Sequence, residues 1–444
     1  MKKVLVLGAG MVARPLVRYL LEKAGFSVDV ASRTVSKAEH LINGHPNGKA
    51  YALDVHDDVA LDGFVKNADI VVSLLPYVYH VKVAELCIKH KKDLVTTSYV
   101  SDAMRALDKK AKEAGVLLLN ECGLDPGIDH MSAMRVIHDV ESKGGKIISF
   151  RSTTGALPAH DSNNNPFGYK FSWSPRGVLL ASRNAAQWLQ DGKIVSIPGE
   201  KLFEHYTIQD VPGVGSFENY PNRNSVPYKE IYGLKDAKTV YRGTFRMVGW
   251  CETLRNIAAL GWLSDKKIEN FSGKSYGDVT RYLISAGNKE DIVAATARFL
   301  GLEKYSAVIK RLEWLGLFSE EPLPDNADNP LDYLTALMLK KMSMGEKDRD
   351  MIVMYHEFLA DYGSKKEYIT SLLVDYGIPK EDTAVARTVA LPAAIAVKMI
   401  LNEKINLKGV HIPVIPEIYN PILDELEEMG IKFIEKTSPY KEEK

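Results

Sequence analysis

Apolar positions in the first 120 residues switch between short unbroken runs and helical spacing. Residues 4–7 run without a break into Gly8, whereas over 11–23 the apolar Val12, Leu16 and Leu20 recur every four positions. This predicts strand, tight turn, helix. Further strands are predicted at 27–31, near 49–53, at 70–75 where Pro76 stops the run, at 93–97 and at 116–120, with helices at 81–90 and 102–114. Apolar strands separated by helices imply a parallel sheet covered on both faces, an α/β doubly wound fold. Beyond Pro126 the rhythm changes: strands near 146–153 and 239–247 bracket a long stretch rich in Asn, Pro, Gly and aromatic residues. The span 254–344 reads as mostly helical, with helices at 291–300 and 305–315. The apolar stretch 388–401, around Leu391-Pro392, suits a helix returning to the first domain, which makes the middle of the chain an insertion.

A chain of 444 residues exceeds what one hydrophobic core sustains. The expected division is a nucleotide-binding domain at 1–125 completed by about 385–410, an α+β substrate domain at 126–253 and about 345–384, and a helical subdomain at 254–344. Residues 436–444 read as a charged, solvated tail. Lys plus Arg and Asp plus Glu both total 57, so no global field draws the chain to nucleic acid or to an anionic membrane. No apolar run approaches the roughly 20 residues of a membrane span, and the N-terminus enters a strand without a signal-peptide pattern. Cys87, Cys122 and Cys251 lie far apart without CxxC spacing. A reducing cytoplasm and no metal are expected.

The turn Gly8-Ala9-Gly10-Met11-Val12-Ala13 fits G-x-G-x-x-G/A between a strand and a helix, the context a Rossmann dinucleotide site requires. Gly8 permits the tight turn, Gly10 lets the backbone approach a pyrophosphate, Ala13 keeps the helix close to the strand, and the helix start offers N–H groups to the anion. An acid at the end of the second strand would hold the ribose 2′-OH of NAD. Here the text is Ser32-Arg33-Thr34, two hydroxyls and a guanidinium that suit a 2′-phosphate, so NADP(H) is the expected cofactor. Asp29 is the nearest acid but falls inside the strand. Asp54 and Val55 are expected to border the adenine, and Leu75 with Pro76 the middle of the cofactor.

Two other strand ends carry polar text: Thr97-Ser98-Tyr99, and Gly123-Leu124-Asp125-Pro126-Gly127-Ile128-Asp129-His130. With Leu74-Leu75-Pro76-Tyr77, the segment 168–174 (GYKFSWS), Tyr220-Pro221-Asn222-Arg223-Asn224-Ser225 and Arg242-Gly243-Thr244-Phe245-Arg246, these resemble the glutamate-forming saccharopine dehydrogenase family over nearly the whole chain. The resemblance implies oxidation of saccharopine at the carbon joined to its bridging amine, giving glutamate and 2-aminoadipate 6-semialdehyde, or the reverse condensation, in lysine metabolism. It also implies a homodimer formed through the second domain. The fungal branch resembles this chain at Ser-Arg-Thr, whereas the animal branch has an ending that suits NAD. Two stretches depart from the family pattern, 358–376 and Asp382-Thr383-Ala384-Val385-Ala386.

Saccharopine carries three carboxylates and two amino nitrogens, so cations and an acid are needed. Arg223 and Arg246 fit the carboxylates, with Thr244 and Phe245 beside the second. Asp125 would hold an ammonium group next to the nicotinamide, with Ser98 and Tyr99 donating hydrogen bonds; Asp125 and Tyr99 are the candidates for proton transfer. Thr97, Ser98, Leu124, Asp125 and Pro126 would border the cofactor, and Trp173 would form a wall over the nicotinamide. His80 and His130 near strand ends read first as hydrogen-bonded structural residues. Competing readings are a related enzyme acting on another amine, such as carboxynorspermidine dehydrogenase or lysine 6-dehydrogenase, and a non-catalytic NADPH-binding protein.

Overall fold

The structure, a computed structural model, describes residues 1–269 and 271–440. Its chain divides into two compact units, Met1–Ile147 with Phe358–Lys444, and Ile148–Glu357.

The first unit opens with β1 (Lys3–Leu7), whose last four side chains are buried, and with helix α1 (Arg14–Arg18), prolonged by one π turn over Tyr19–Lys23. There follow β2 (Ser27–Ser32), α2 (Val35–Ile42), β3 (Gly48–Ala52), α3 (Asp58–Lys66), β4 (Ile70–Ser73), α4 (His80–His90) and β5 (Asp93–Thr96). The helix expected over 102–114 is two shorter ones, α5 (Asp102–Arg105), capped by the Ser101 hydroxyl, and α6 (Asp108–Ala114). Strand β6 (Leu117–Leu119) and helix α7 (Ile128–Ser142) end this part. Pattern reading assigned 123–130 to a site and missed that a helix starts within it.

The second unit contains β7 (Lys146–Pro158), α8 (Pro175–Ala181), the hairpin β8 (Ala186–Gln190) and β9 (Lys193–Ile197), β10 (Thr207–Val211), β11 (Gly215–Pro221), α9 (Tyr228–Ile231) and β12 (Thr239–Arg246). Five helices follow: α10 (Trp250–Ala259), α11 (Tyr276–Leu283), α12 (Ile292–Leu300), α13 (Ala307–Leu315) and α14 (Pro330–Met342). The buried faces of these helices share one apolar cluster with Phe167, Tyr169, Phe171 and Tyr220. The span expected as a separate helical subdomain therefore closes the core of this unit. Strand β13 (Asp350–Asp361) leads back out.

The returning chain forms β14 (Lys366–Tyr376), α15 (Ala384–Leu401), β15 (Gly409–His411), α16 (Pro416–Glu428) and β16 (Phe433–Pro439). Helix α15 is long and apolar enough to cross a membrane by length and composition, yet 78% of it is buried inside the protein. It lies against α1, β4 and β5, which is the return the sequence implies, and it carries Pro392 in its interior. Strand β15 extends the sheet beyond β6, pairing Gly409 with Leu117 in parallel. Helix α16 is held to α7 by Arg135, which donates to Asn420 and to Asp424, and by a 2.6 Å bond between His138 and the Tyr419 hydroxyl. That packing places α7 in the first unit, so its boundary falls at Ile147, beyond the expected 125. The tail expected over 436–444 requires correction: Lys436 to Pro439 belong to β16, antiparallel to β14. Backbone pairing is indifferent to the charged side chains, which still face water. Residues 441–444 lie outside the described residues.

The sheet of the first unit has the order β15-β6-β5-β4-β1-β2-β3 and is parallel throughout. Strand order reverses at β1, with β2 and β3 added on one side and β4 to β6 on the other, so a crevice opens at the carboxyl ends of β1 and β4, where ligands bind in such sheets. The second sheet is mixed, with the order β10-β11-β12-β7-β13-β14-β16 and β8-β9 attached to β12.

The central role of α15 is testable. Ile395 is fully buried in it, and Ile395→Ala should lower unfolding free energy by about 2–5 kcal/mol in urea titrations. A change below about 0.5 kcal/mol would mean that this helix is not part of the stabilising core.

Candidate active site

At the crevice, Gly8 takes φ +110°, and a Cβ there would stand 3.0 Å from the Leu74 carbonyl oxygen. Only glycine fits this turn without strain. At Gly10 a Cβ would meet nothing within 4 Å, so the backbone faces open space. The following helix start has no side-chain cap and carries proline in its first turn, leaving N–H groups for an anion. A cavity of about 320 Å³ lies over this turn, lined by Gly8, Ala9, Gly10, Ser32, Arg33, Thr34, Asp54, Val55 and Leu75 among others. With Pro76, which also lines it, ten of the expected cofactor residues thus meet in one place. Met11 and Val12 lie one step further and do not line it, and Met11 is exposed.

Three polar lining residues escaped sequence reasoning: Lys37, His56 and Tyr79. Lys37 stands on α2, one turn after Arg33, and both are exposed. Among the described residues neither is committed to an ion pair. The signal was present as a second cation four residues after Arg33. Asp54 is occupied by His56, whose backbone N–H and ring Nδ1 lie 2.9 and 2.8 Å from Oδ1. The backbone bond is the largest of the causes that hold the Asp54 carboxyl below its usual range, ahead of the ring bond and of the His56 and Arg33 charges. Asp29 sits within β2 opposite Leu5 and is 3.5 Å from Lys3, away from the strand end. Two uncommitted cations, two hydroxyls and no strand-end acid fit a dinucleotide with a 2′-phosphate.

The ends of β4, β5 and β6 hold a second cluster. Tyr99 donates a 2.6 Å hydrogen bond to Asp125 Oδ1, bringing together the two expected proton-transfer residues. His80 is 4% exposed, with Nδ1 2.9 Å from Ser73 Oγ and Nε2 2.9 Å from Ser98 Oγ and 3.1 Å from Thr96 Oγ1. Burial pulls its pKa down to about 4. Glu121, at φ +59°, was also missed. It accepts from the Val100 N–H at 2.9 Å and pairs with His130 at 2.7 Å, both side chains being buried. That carboxylate joins the loop after β5 to the loop after β6. Gly127, at φ +148°, closes the second loop so tightly that a Cβ would fall 2.0 Å from the Gly123 oxygen. Leu124 and Pro126 are buried beside half-exposed Asp125, and Thr97 is half-buried; none of Thr97, Ser98, Leu124, Asp125 or Pro126 lines the 320 Å³ cavity.

In the second unit, β12 carries Thr244, Phe245 and Arg246. Phe245 is fully buried with its ring 5.5 Å from that of Phe217. Arg246 is 5% exposed, its guanidinium 5.2 Å from the Tyr169 ring and 5.6 Å from the Trp250 ring. Its Nη1 donates to the Phe245 carbonyl at 2.8 Å, and its Nε has no partner. Its cross-strand neighbour Glu218 is spent on the start of α10, accepting from the Gly249 and Cys251 N–H groups at 2.7 Å each. Trp173 is half-buried, packs on the apolar core of the second unit and lies beside the Tyr169 hydroxyl, while Arg223 is exposed at φ +54°. Among the described residues no cluster of His, Cys, Asp or Glu is suited to a metal.

A fully parallel sheet in this order, a Gly8-x-Gly10 turn over an open cavity and a cationic end to β2 define an oxidoreductase of the dinucleotide-binding class. Family models described as the saccharopine dehydrogenase NADP binding domain and C-terminal domain match residues 4–119 and 123–431. The chain belongs to the saccharopine dehydrogenase family. It is 39% identical to the saccharopine dehydrogenase [NADP(+), L-glutamate-forming] of Schizosaccharomyces pombe, over 98% of this chain and 99% of that one. It is 37% identical to the mitochondrial alpha-aminoadipic semialdehyde synthase of Bos taurus, over 97% of this chain and 47% of that longer protein. The apo saccharopine dehydrogenase (L-Glu forming) from Saccharomyces cerevisiae superposes with a TM-score of 0.89 at 39% identity, covering 99% of this chain and all of that one.

The cationic rim generates a prediction. Arg33→Ala and Lys37→Ala should each raise the KM for NADP about 10–100-fold, the worth of a charge-assisted hydrogen bond, and leave the KM for NAD nearly unchanged. Equal effects on both cofactors in steady-state assays would remove these residues from 2′-phosphate recognition.

Proposed function

We infer that the protein is an NADP-dependent saccharopine oxidoreductase. Saccharopine loses a hydride from the carbon joined to its bridging amine, water adds to the resulting imine, and glutamate leaves from 2-aminoadipate 6-semialdehyde; the reverse is a reductive condensation. NADP supplies the hydride acceptor. The residues supply orientation, charge and proton transfer. The observation that carries this reading is Arg246, a buried guanidinium whose neighbouring carboxylate is already committed elsewhere. An uncompensated buried charge costs several kcal/mol, and a carboxylate ligand offsets that cost, which a polyamine cannot do.

In this reading Arg246 and Arg223 take substrate carboxylates, with Thr244 and the backbone of Phe245 beside them. Asp125 holds a substrate nitrogen and exchanges its proton, and the Tyr99 hydroxyl orients that carboxylate through the 2.6 Å bond. Ser98 donates to the ligand. Gly8, Ala9, Gly10, Met11 and Val12 cradle the pyrophosphate with backbone N–H groups, and Ser32, Arg33 and Thr34 hold the 2′-phosphate. Asp54, Val55, Leu75, Thr97, Leu124 and Pro126 border the rest of the cofactor, and Trp173 walls the nicotinamide. A cytoplasmic homodimer, formed through the second unit and binding neither nucleic acid nor membrane, belongs to the same reading. It is supported by the family resemblance and by equal totals of acidic and basic residues.

Two variants test the assignment. Asp125→Asn should lose about 10²–10⁴ in kcat with cofactor binding retained; near-normal turnover would take Asp125 out of the mechanism. Arg246→Met should raise the KM for saccharopine at least about 30-fold, the low end of the 2–5 kcal/mol for truncating a buried charge pair. Because an apolar side chain of similar size replaces a buried charge, thermal stability should hold or rise. A fall in Tm with unchanged KM would make Arg246 a structural residue instead.

A further inference from the structure

His80 is the first residue of α4 and stands where the ends of β4 and β5 and the loop after β5 converge. Its Nδ1 meets Ser73 at the end of β4, and its Nε2 meets Thr96, the last residue of β5, and Ser98 two residues beyond. Ser73 and Thr96 are buried, at 0% and 1% exposure, whereas Ser98 is half-exposed. The imidazole therefore lies between interior hydroxyls and the one hydroxyl of the set that reaches the surface. Thr96 Oγ1 also accepts the Ser98 N–H at 3.4 Å, so both backbone and side chain of Ser98 are referred to the same point.

A neutral imidazole has one donor and one acceptor. Nε2 offers its one hydrogen or one lone pair to Ser98 Oγ at 2.9 Å and, less closely, to Thr96 Oγ1 at 3.1 Å, so in either tautomer Ser98 has the nearer claim on it and keeps further hydrogen-bonding capacity for a ligand. Burial keeps the ring uncharged at neutral pH, so it does not itself exchange protons there with a substrate. We propose that His80 is a positioning residue that fixes the orientation of the Ser98 hydroxyl for the ligand, and that turnover depends on His80 through Ser98. The proposal rests on the reading of Ser98 as a ligand contact.

The test is a double-mutant cycle in the full-length protein, assayed with saccharopine and NADP and accompanied by thermal melting. His80→Ala and Ser98→Ala should each lower kcat about tenfold, the loss of one buried or ligand-facing hydrogen bond, with small changes in KM. The double variant should be no worse than Ser98→Ala alone, because the second change removes an interaction already lost. His80→Gln, which keeps a donor and an acceptor and most of the volume, should recover part of kcat, and it carries the test if His80→Ala fails to fold. Multiplied losses of about a hundredfold in the double variant, or kcat changes that merely follow Tm, would overturn the proposal. Normal kcat in His80→Gln and His80→Ala beside an impaired Ser98→Ala would overturn it while leaving Ser98 as a ligand contact. Normal kcat in Ser98→Ala would overturn both.

Discussion

A parallel sheet buried on both faces leaves its carboxyl ends as the place where polar chemistry is affordable. Every hydroxyl, carboxylate and cation described in the first unit's site obeys that constraint. The strands themselves are apolar: Val4–Leu7 in β1, Ile70–Val72 in β4 and Leu117–Leu119 in β6 are buried throughout. At their ends stand Ser32 and Ser73, and past them come Gly8, Ser98 and Asp125. Helix α15, returning from the far end of the chain, covers β4 and β5 with apolar side chains and so fixes the strands whose ends carry Ser73, Ser98 and Tyr99.

Polar groups at these ends are satisfied in a graded way. Those deepest in the protein bind one another, as Ser73, Thr96 and His80 do, and Glu121 ties two loops together from a buried position. Those nearer the surface keep capacity for a ligand, as Arg33 and Lys37 do at the cavity rim. The second unit repeats the logic around one charge. Glu218 caps the start of α10 instead of neutralising Arg246, and aromatic faces surround a guanidinium whose Nε is unpartnered. Leaving a buried cation in that state costs stability, which a bound carboxylate offsets in the assignment proposed for Arg246.

Much of this was legible from pattern because strands buried on two faces read as unbroken apolar runs, and because Gly8, Gly10 and Arg33 act through local backbone and charge. The failures have equally local causes. Strand β15 has three residues and β16 carries Glu435 and Lys436, so neither shows an apolar period, and both are held by partners far away in sequence. Along β12 the two-residue period places Thr244 and Arg246 on one face and sends Phe245 to the other, against Phe217, a distinction lost when the three are taken as one motif. Glu121 and His130 lie nine residues apart, and only the fold makes them a buried pair. The relation of Tyr99 to Asp125 was anticipated from two separate strand ends, since the ends of neighbouring parallel strands must meet.

The central claim is that this chain moves a hydride between saccharopine and NADP. The most direct measurement is absorbance at the reduced-nicotinamide band with purified protein and L-saccharopine, supplying NADP or NAD separately. The account predicts strong, saccharopine-dependent reduction of NADP and little of NAD. Preference for NAD would contradict the reading of Arg33 and Lys37, and silence with both cofactors alongside activity on lysine or a polyamine adduct would contradict the substrate.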